Sequence, residues 1–120
     1  MPFICGSVEV ALADGEQEIL PGISVTTVSG HTPYQQLLEV ETQYGKTVFV
    51  SDLFPMKAHG PLPYVMSYDI EPLKTTSEKK KLLERAIAED LVFWFYHDPD
   101  HHLGRAVKNG NRYALEALVN

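Results

Sequence analysis

A single thiol, Cys5, is present in 120 residues, which excludes an intramolecular disulfide and leaves no CxxC pair for a metal knuckle. A buried, inert cysteine in a reducing compartment, by default the cytoplasm, is the expectation. No apolar run approaches the roughly 20 residues of a membrane span. Nor does the N-terminus show a basic segment followed by a long apolar stretch, so neither a membrane nor a leader is expected. Positive charge is also scarce, with 10 Lys and Arg against 16 Asp and Glu and a formal charge of −6. The one basic run, Lys79-Lys80-Lys81, sits among Glu78, Glu84 and Glu89. It reads as the solvated face of a helix, and nucleic acid is excluded as a partner. Glycine-rich phosphate loops and a GxSxG elbow are missing.

What remains has a globular composition, 44% hydrophobic and 22% charged, without low-complexity tracts. The length fits a single domain, 1–120, able to bury roughly two-thirds of its unfolded surface. Loose alternation over 8–13, the turn Asp14-Gly15 and Glu16 to Leu20 predict a short strand pair. Pro21-Gly22 marks a turn, and the β-branched Ile23 to Val28 reads as a strand ending at Ser29-Gly30. Leu37 to Thr42 and Thr47 to Val50 read as two strands around Tyr44-Gly45-Lys46, the second apolar enough to be central. The proline-rich stretch from Phe54 to Pro72 predicts a long ordered loop, and such loops are usually functional. Thr75 or Ser77 can cap a helix from Glu78 to Asp90, with Leu82, Leu83, Ala86 and Ile87 as its apolar stripe. Leu91 to Tyr96 reads as a buried strand, with Phe93, Trp94, Phe95 and Tyr96 as core residues rather than a binding platform. A last hairpin, Arg105 to Lys108 and Arg112 to Leu118, turns at Asn109-Gly110-Asn111.

His31, Asp52 and His97 each fall at the end of a predicted strand. If those strands are neighbours in one sheet, the three side chains gather along one edge, and imidazole with carboxylate is a ligand mixture for zinc, iron or manganese. Taken singly, a histidine at a strand end is more often structural. His59, in the long loop, is a candidate for lining a substrate pocket or for a surface or packing role. His101 and His102 are expected in an exposed loop.

Local sequence adds to the spacing. Pro21-Gly22, a strand and Gly30-His31-Thr32-Pro33 resemble the PG…GHTPGH segment of the metallo-β-lactamase superfamily. Val50-Ser51-Asp52-Leu53 resembles its strand ending in the bridging aspartate, and His97-Asp98-Pro99 its last ligand segment, all in the family's order. The resemblance implies an α/β (α+β) fold: the C-terminal half of an αββα sandwich, a mostly antiparallel or mixed sheet with a helix on one face. It implies His31 as a ligand of one metal, Asp52 as the carboxylate bridging two, and His97 as a ligand of the second. Two divalent ions, zinc first and iron or manganese as alternatives, would then hold a bridging hydroxide that attacks an ester, lactone, lactam, thioester or phosphoester.

Two departures qualify this. Gln35 stands where the family motif has its second histidine, which alters support around the site rather than the ligand set. The family's HxHxDH motif occurs nowhere in the sequence, so four ligands are missing and this chain alone is expected to be inactive. The resemblance therefore implies one part of a hydrolase for a small-molecule substrate, completed by a complementary N-terminal-half chain or by a homo-oligomer. The alternative is a non-catalytic, self-associating half-domain with weak or no metal binding. Either way, a lone half would expose the sheet face that normally meets its partner.

Overall fold

The computed structural model describes residues 12–118. Cys5 and most of the strand expected over 8–13 lie outside them, and Leu12 and Ala13 are irregular. Seven strands form one sheet in sequence order: β1 (Gln17–Leu20), β2 (Ile23–Val28), β3 (Gln35–Thr42), β4 (Gly45–Phe49), β5 (Val92–Trp94), β6 (Leu103–Asn109) and β7 (Arg112–Ala117). Every neighbouring pair is antiparallel except β4 and β5. That parallel pair requires a crossover, and α1 (Pro72–Glu89) supplies it. The arrangement is the expected one, a mixed sheet with a helix on one face. Because β2 and β4 both oppose β3, and β5 parallels β4, these three strands run the same way and end at one edge.

The helix begins six residues before its expected start. Pro72 occupies its first turn, where the missing N–H costs nothing and the fixed φ suits a helix. Neither Thr75 nor Ser77 is the cap: Glu71 takes that place without a side-chain cap bond, and the Thr75 hydroxyl donates back to the Glu71 carbonyl at 3.3 Å. The buried stripe is Thr75, Lys79, Leu82, Leu83 and Ala86, which corrects the sequence reading twice. Ile87 is 41% exposed, and Lys79, expected in solvent, is fully buried. Helical spacing places position 79 in line with Thr75, Leu82 and Ala86, so a lysine enters a stripe that binary patterning reserves for apolar residues.

Leu83 packs with Val48, Val50, Phe93 and Phe95 in the core between helix and sheet. Truncating such a side chain to alanine costs about 2–5 kcal/mol. Glu39 on β3 faces the same way and is nearly buried. Its carboxylate accepts both terminal nitrogens of Arg85 on α1, tying helix to sheet through a forked, charge-assisted contact.

Alternation puts the next residues on the opposite face. There Val25, Leu38, Phe49, Trp94 and Leu103 stand opposite one another on five consecutive strands, an apolar row that no helix among the described residues crosses, buried at Val25 and exposed at Trp94. Phe49 meets Trp94 edge-on at 5.0 Å and Tyr96 at 5.9 Å. Phe93 and Phe95 are core residues as expected, but Trp94 is 44% and Tyr96 67% exposed. The strand is shorter than its apolar run suggests, and its alternate side chains leave the core.

Candidate metal centre

Gly30 closes β2 against the start of the helix. Its φ is +135°, and a Cβ there would lie 2.6 Å from the Thr75 backbone nitrogen, so only glycine admits the approach. The Glu71 amide donates to the Gly30 carbonyl at 2.8 Å and the Ile70 amide to the His31 carbonyl at 3.3 Å. His31 is thereby fixed against the segment leading into α1. After β4, Ser51 takes a φ of +49°, a left-handed conformation that β-carbon sterics disfavour. The chain turns there into the short 3-10 helix Ser51–Leu53, presenting Asp52. Gln35 supports that turn: its amide donates to the Ser51 hydroxyl at 3.0 Å.

Beyond β5, the His97 amide donates to the Pro55 carbonyl at 3.1 Å. Asp98 accepts the backbone amides of Lys57, Asp100 and His101 at 2.9, 3.0 and 2.9 Å. Burial acts to raise the Asp98 pKa, but these three donors prevail and hold it below the usual carboxylate value.

The three sequence-selected residues meet. Asp52 Oδ1 lies 2.9 Å from His97 Nε2, and Asp52 Oδ2 lies 3.4 Å from His31 Nε2. The aspartate thus stands between two imidazoles with one oxygen toward each. The centre opens outward from His31, 14% exposed, through Asp52 at 33% to His97 at 49%. It is a row rather than a cage: among the described residues no group of three or more His, Cys, Asp or Glu side chains surrounds a single point that could hold a metal ion.

A fourth residue, Asp69, was not singled out by the sequence. Its Oδ1 lies 2.7 Å from His31 Nδ1, with the Asp69 side chain only 1% exposed. A carboxylate can only accept, so Nδ1–H donates, and in the neutral imidazole Nε2 then presents its lone pair toward Asp52. That orientation, with an imidazole braced by a carboxylate, is the one found behind metal-ligating histidines. In that form a lone pair and a carboxylate oxygen face each other at 3.4 Å, a gap whose repulsion a divalent cation relieves as a proton on Nε2 would. The donor set therefore fits a divalent ion at His31 and Asp52. The only signal for Asp69 in the sequence was its place in a long loop of the kind that tends to carry function. Tyr68 beside it meets the His31 ring edge-on at 5.7 Å.

The other histidines stand apart from these contacts. His59, in the short 3-10 helix Lys57–His59, has a buried Nδ1 without a hydrogen-bond partner. Burial and the nearby Lys79 charge push its pKa down, opposed by the Met56 backbone and Asp69. His101 Nδ1 lies 3.4 Å from Asp98 Oδ1, and His102 is exposed as expected.

No protein-family model matches the sequence, and no curated protein matches it. Solved structures do. A probable metal-dependent hydrolase from Staphylococcus aureus superposes with a TM-score of 0.75 at 28% identity, over 92% of this chain and 41% of its own. The described residues have the fold of half a metallo-β-lactamase sandwich. AidC, a dizinc quorum-quenching lactonase solved with its product N-hexanoyl-L-homoserine, shares this metallo-β-lactamase architecture at TM-score 0.73 and 19% identity, over 90% of this chain and 38% of its own. An N-acyl homoserine lactone hydrolase with N-hexanoyl-L-homoserine at its catalytic metal centre gives TM-score 0.63 and 26% identity, over 73% and 35%. The chain spans about two-fifths of the length of the solved proteins it matches. The first of these neighbours is a probable metal-dependent hydrolase, and the other two are a dizinc lactonase and a lactone hydrolase with a catalytic metal centre.

Proposed function

We propose that this chain is the C-terminal half of a binuclear metal-dependent hydrolase, with His31 and Asp52 serving one divalent ion and Asp52 and His97 the other. The remaining ligands would come from a complementary N-terminal half. One observation carries this reading: a single carboxylate offers one oxygen to each of two histidines. Bound divalent ions would supply Lewis acidity, polarising the scissile carbonyl or phosphoryl group and lowering the pKa of water.

The chain's own residues prepare that chemistry. Asp69 selects the His31 tautomer, Gln35 and Ser51 fix the turn that aims Asp52, and the Asp98 carboxylate clamps the segment after His97. Imidazole and carboxylate suit zinc first, with iron and manganese acceptable, and the dizinc neighbour supports zinc. Substrates in this reading are small esters, lactones, lactams, thioesters or phosphoesters. Lactones come first because two neighbours hold homoserine-lactone products. His59 would lie beside the pocket, and the cytoplasm suits a chain with one thiol.

The test is metal content and turnover. Zinc-loaded protein assembled with a complementary half is expected to hold about two metals per assembly and to hydrolyse an N-acyl homoserine lactone or a generic ester. Asp52→Ala should abolish both second-metal retention and activity. Turnover that survives this substitution would refute the role given to Asp52.

A second reading is favoured by the exposed aromatic pair Trp94 and Tyr96 on the sheet face opposite the helix. It is a non-catalytic half-domain that self-associates. Trp94→Lys then converts a dimer to a monomer in sedimentation velocity while the chain stays folded and metal-free. A wild-type chain that already sediments as a monomer removes this reading.

A further inference from the structure

Away from the metal centre, the proline-rich loop and the last hairpin enclose a cleft of about 470 Å³, walled by residues 61–64 on one side and 111–113 on the other. That volume falls in the range of small-molecule sites, about 300–1,000 Å³. A second hollow of about 190 Å³ shares Leu62, Asn111 and Tyr113 with it and adds Lys80, Glu84 and Lys108. The loop wall is fixed from behind. Gly60 lies so close to β7 that a Cβ there would stand 2.6 Å from the Leu115 nitrogen. The buried Lys79 ammonium donates to the carbonyls of Pro61 and Tyr64 at 2.8 Å and to that of Leu62 at 3.4 Å. A wall held in this way is set before a ligand arrives, which lowers the cost of binding.

Charge separates the cleft from the rest of the surface. The chain carries −6, yet Lys80, Lys108 and Arg112 stand around this cleft against one carboxylate, Glu84. Glu84 is already engaged, because the Tyr113 hydroxyl donates to it at 2.8 Å. Among the described residues none of these three cations joins an ion pair. Tyr113 forms the floor at 5% exposure, and Lys108 Nζ lies 5.0 Å from its ring centroid. Uncompensated cations beside an apolar wall concentrate anions there.

We propose that this cleft binds a small aryl carboxylate, its flat apolar body against Leu62 and the exposed Tyr64 ring and its carboxylate at Arg112, with Lys108 and Lys80 adding to the attraction. A hydrated inorganic anion would use only the charges and a neutral arene only the walls, whereas an aryl carboxylate uses both. None of the lining residues belongs to the metal centre, so the assignment stands under either reading of that centre.

The experiment titrates the whole chain, metal-free, with 2-naphthoate and follows the backbone amides by 15N NMR. Shifts at Tyr64, Asn111 and Arg112 should saturate together with a Kd on the order of 1 mM, the affinity expected for a ligand of about a dozen non-hydrogen atoms. Uncharged 2-naphthamide should bind about 3- to 10-fold more weakly. The same loss is expected for naphthoate with the variant Arg112→Gln/Lys108→Gln, both exposed positions. Raising salt from about 0.05 to 0.5 M should weaken naphthoate and leave naphthamide unchanged. If the double variant does not fold, this salt dependence and the comparison of acid with amide decide on wild type. No saturation below about 10 mM overturns the proposal. So does equal binding of acid and amide, or an unchanged naphthoate affinity in the double variant. Shifts centred on Trp94 or His97 would put the probe on the sheet face opposite the helix or at the metal centre, and overturn it equally.

Discussion

Replacing Glu39 by glutamine removes one charge from the contact joining α1 to the sheet and leaves its shape almost unchanged. In the native protein both carboxylate oxygens accept Arg85 nitrogens, and Lys46 Nζ lies 3.4 Å away. Charge-assisted hydrogen bonds contribute about 1.5–3 kcal/mol. The half-exposed Lys46 contact adds little. Arg85 is 30% exposed and keeps Glu89 at 2.8 Å, so the bereft guanidinium is partly rehydrated and partly still paired. The expected loss is therefore about 2–3 kcal/mol, short of the 3–5 for a fully buried broken pair, and on the order of 8–12 °C in Tm for a domain of this size. The Arg85 hydrogen bond holds the Glu39 pKa down against burial, helped by the Arg85 and Lys46 charges. A depressed carboxylate pKa contributes stability that is present above the unfolded value, about 4.3, and is lost as pH falls through the folded one. Thermal unfolding of wild type and Glu39→Gln should then differ at neutral pH and converge as the pH drops below about 4. A difference under about 0.5 kcal/mol at pH 7, or one that persists unchanged in acid, would refute the assignment.

Gly30→Ala sets a Cβ into the backbone of Thr75, so the helix start must retreat and the Glu71–Gly30 and Ile70–His31 bonds weaken. About 3 kcal/mol or more should be lost in chemical denaturation, together with the ordered His31 Nδ1 proton. Asp98→Asn places an amide where three backbone donors converge. A cost of about 1–3 kcal/mol is expected, with faster amide hydrogen exchange at Lys57 and His101, and unchanged exchange at both would contradict the clamp.

The hairpins, and the meeting of His31, Asp52 and His97 on condition that their strands are neighbours, were legible because they follow from turn chemistry and direction. Pro21-Gly22 and Tyr44-Gly45-Lys46 define tight reversals, and the helix after β4 is long enough to return β5 parallel to it. The ends of β2, β4 and β5 then share an edge. The helix start was not legible, since Pro72 can open a helix or end a loop with the same φ, and the decision rests on Gly30 packing against Thr75. Asp69 and Lys79 were hidden for a related reason. A lysine among lysines and an aspartate in a loop both resemble solvent-facing residues, and only the folded loop from Pro61 to Asp69 carries them inside. Trp94 was misread because an unbroken apolar run conceals alternation: its neighbours Phe93 and Phe95 are core residues, while Trp94 faces the uncovered side.

The distribution of supporting contacts bears on what a second half would have to provide. Asp69 braces His31, Gln35 braces the turn at Ser51, and Asp98 braces the segment after His97, and each of these supports belongs to this chain. The geometry around the three candidate ligands is therefore set before any partner arrives. A partner would need to add ligands and cover the row from Val25 to Leu103, without reshaping the edge where β2, β4 and β5 end. Prearranged ligands lose less freedom when a metal or a partner binds. In the proposed hydrolase, the row of two imidazoles around one carboxylate would complete a site whose other ligands stand on a facing surface.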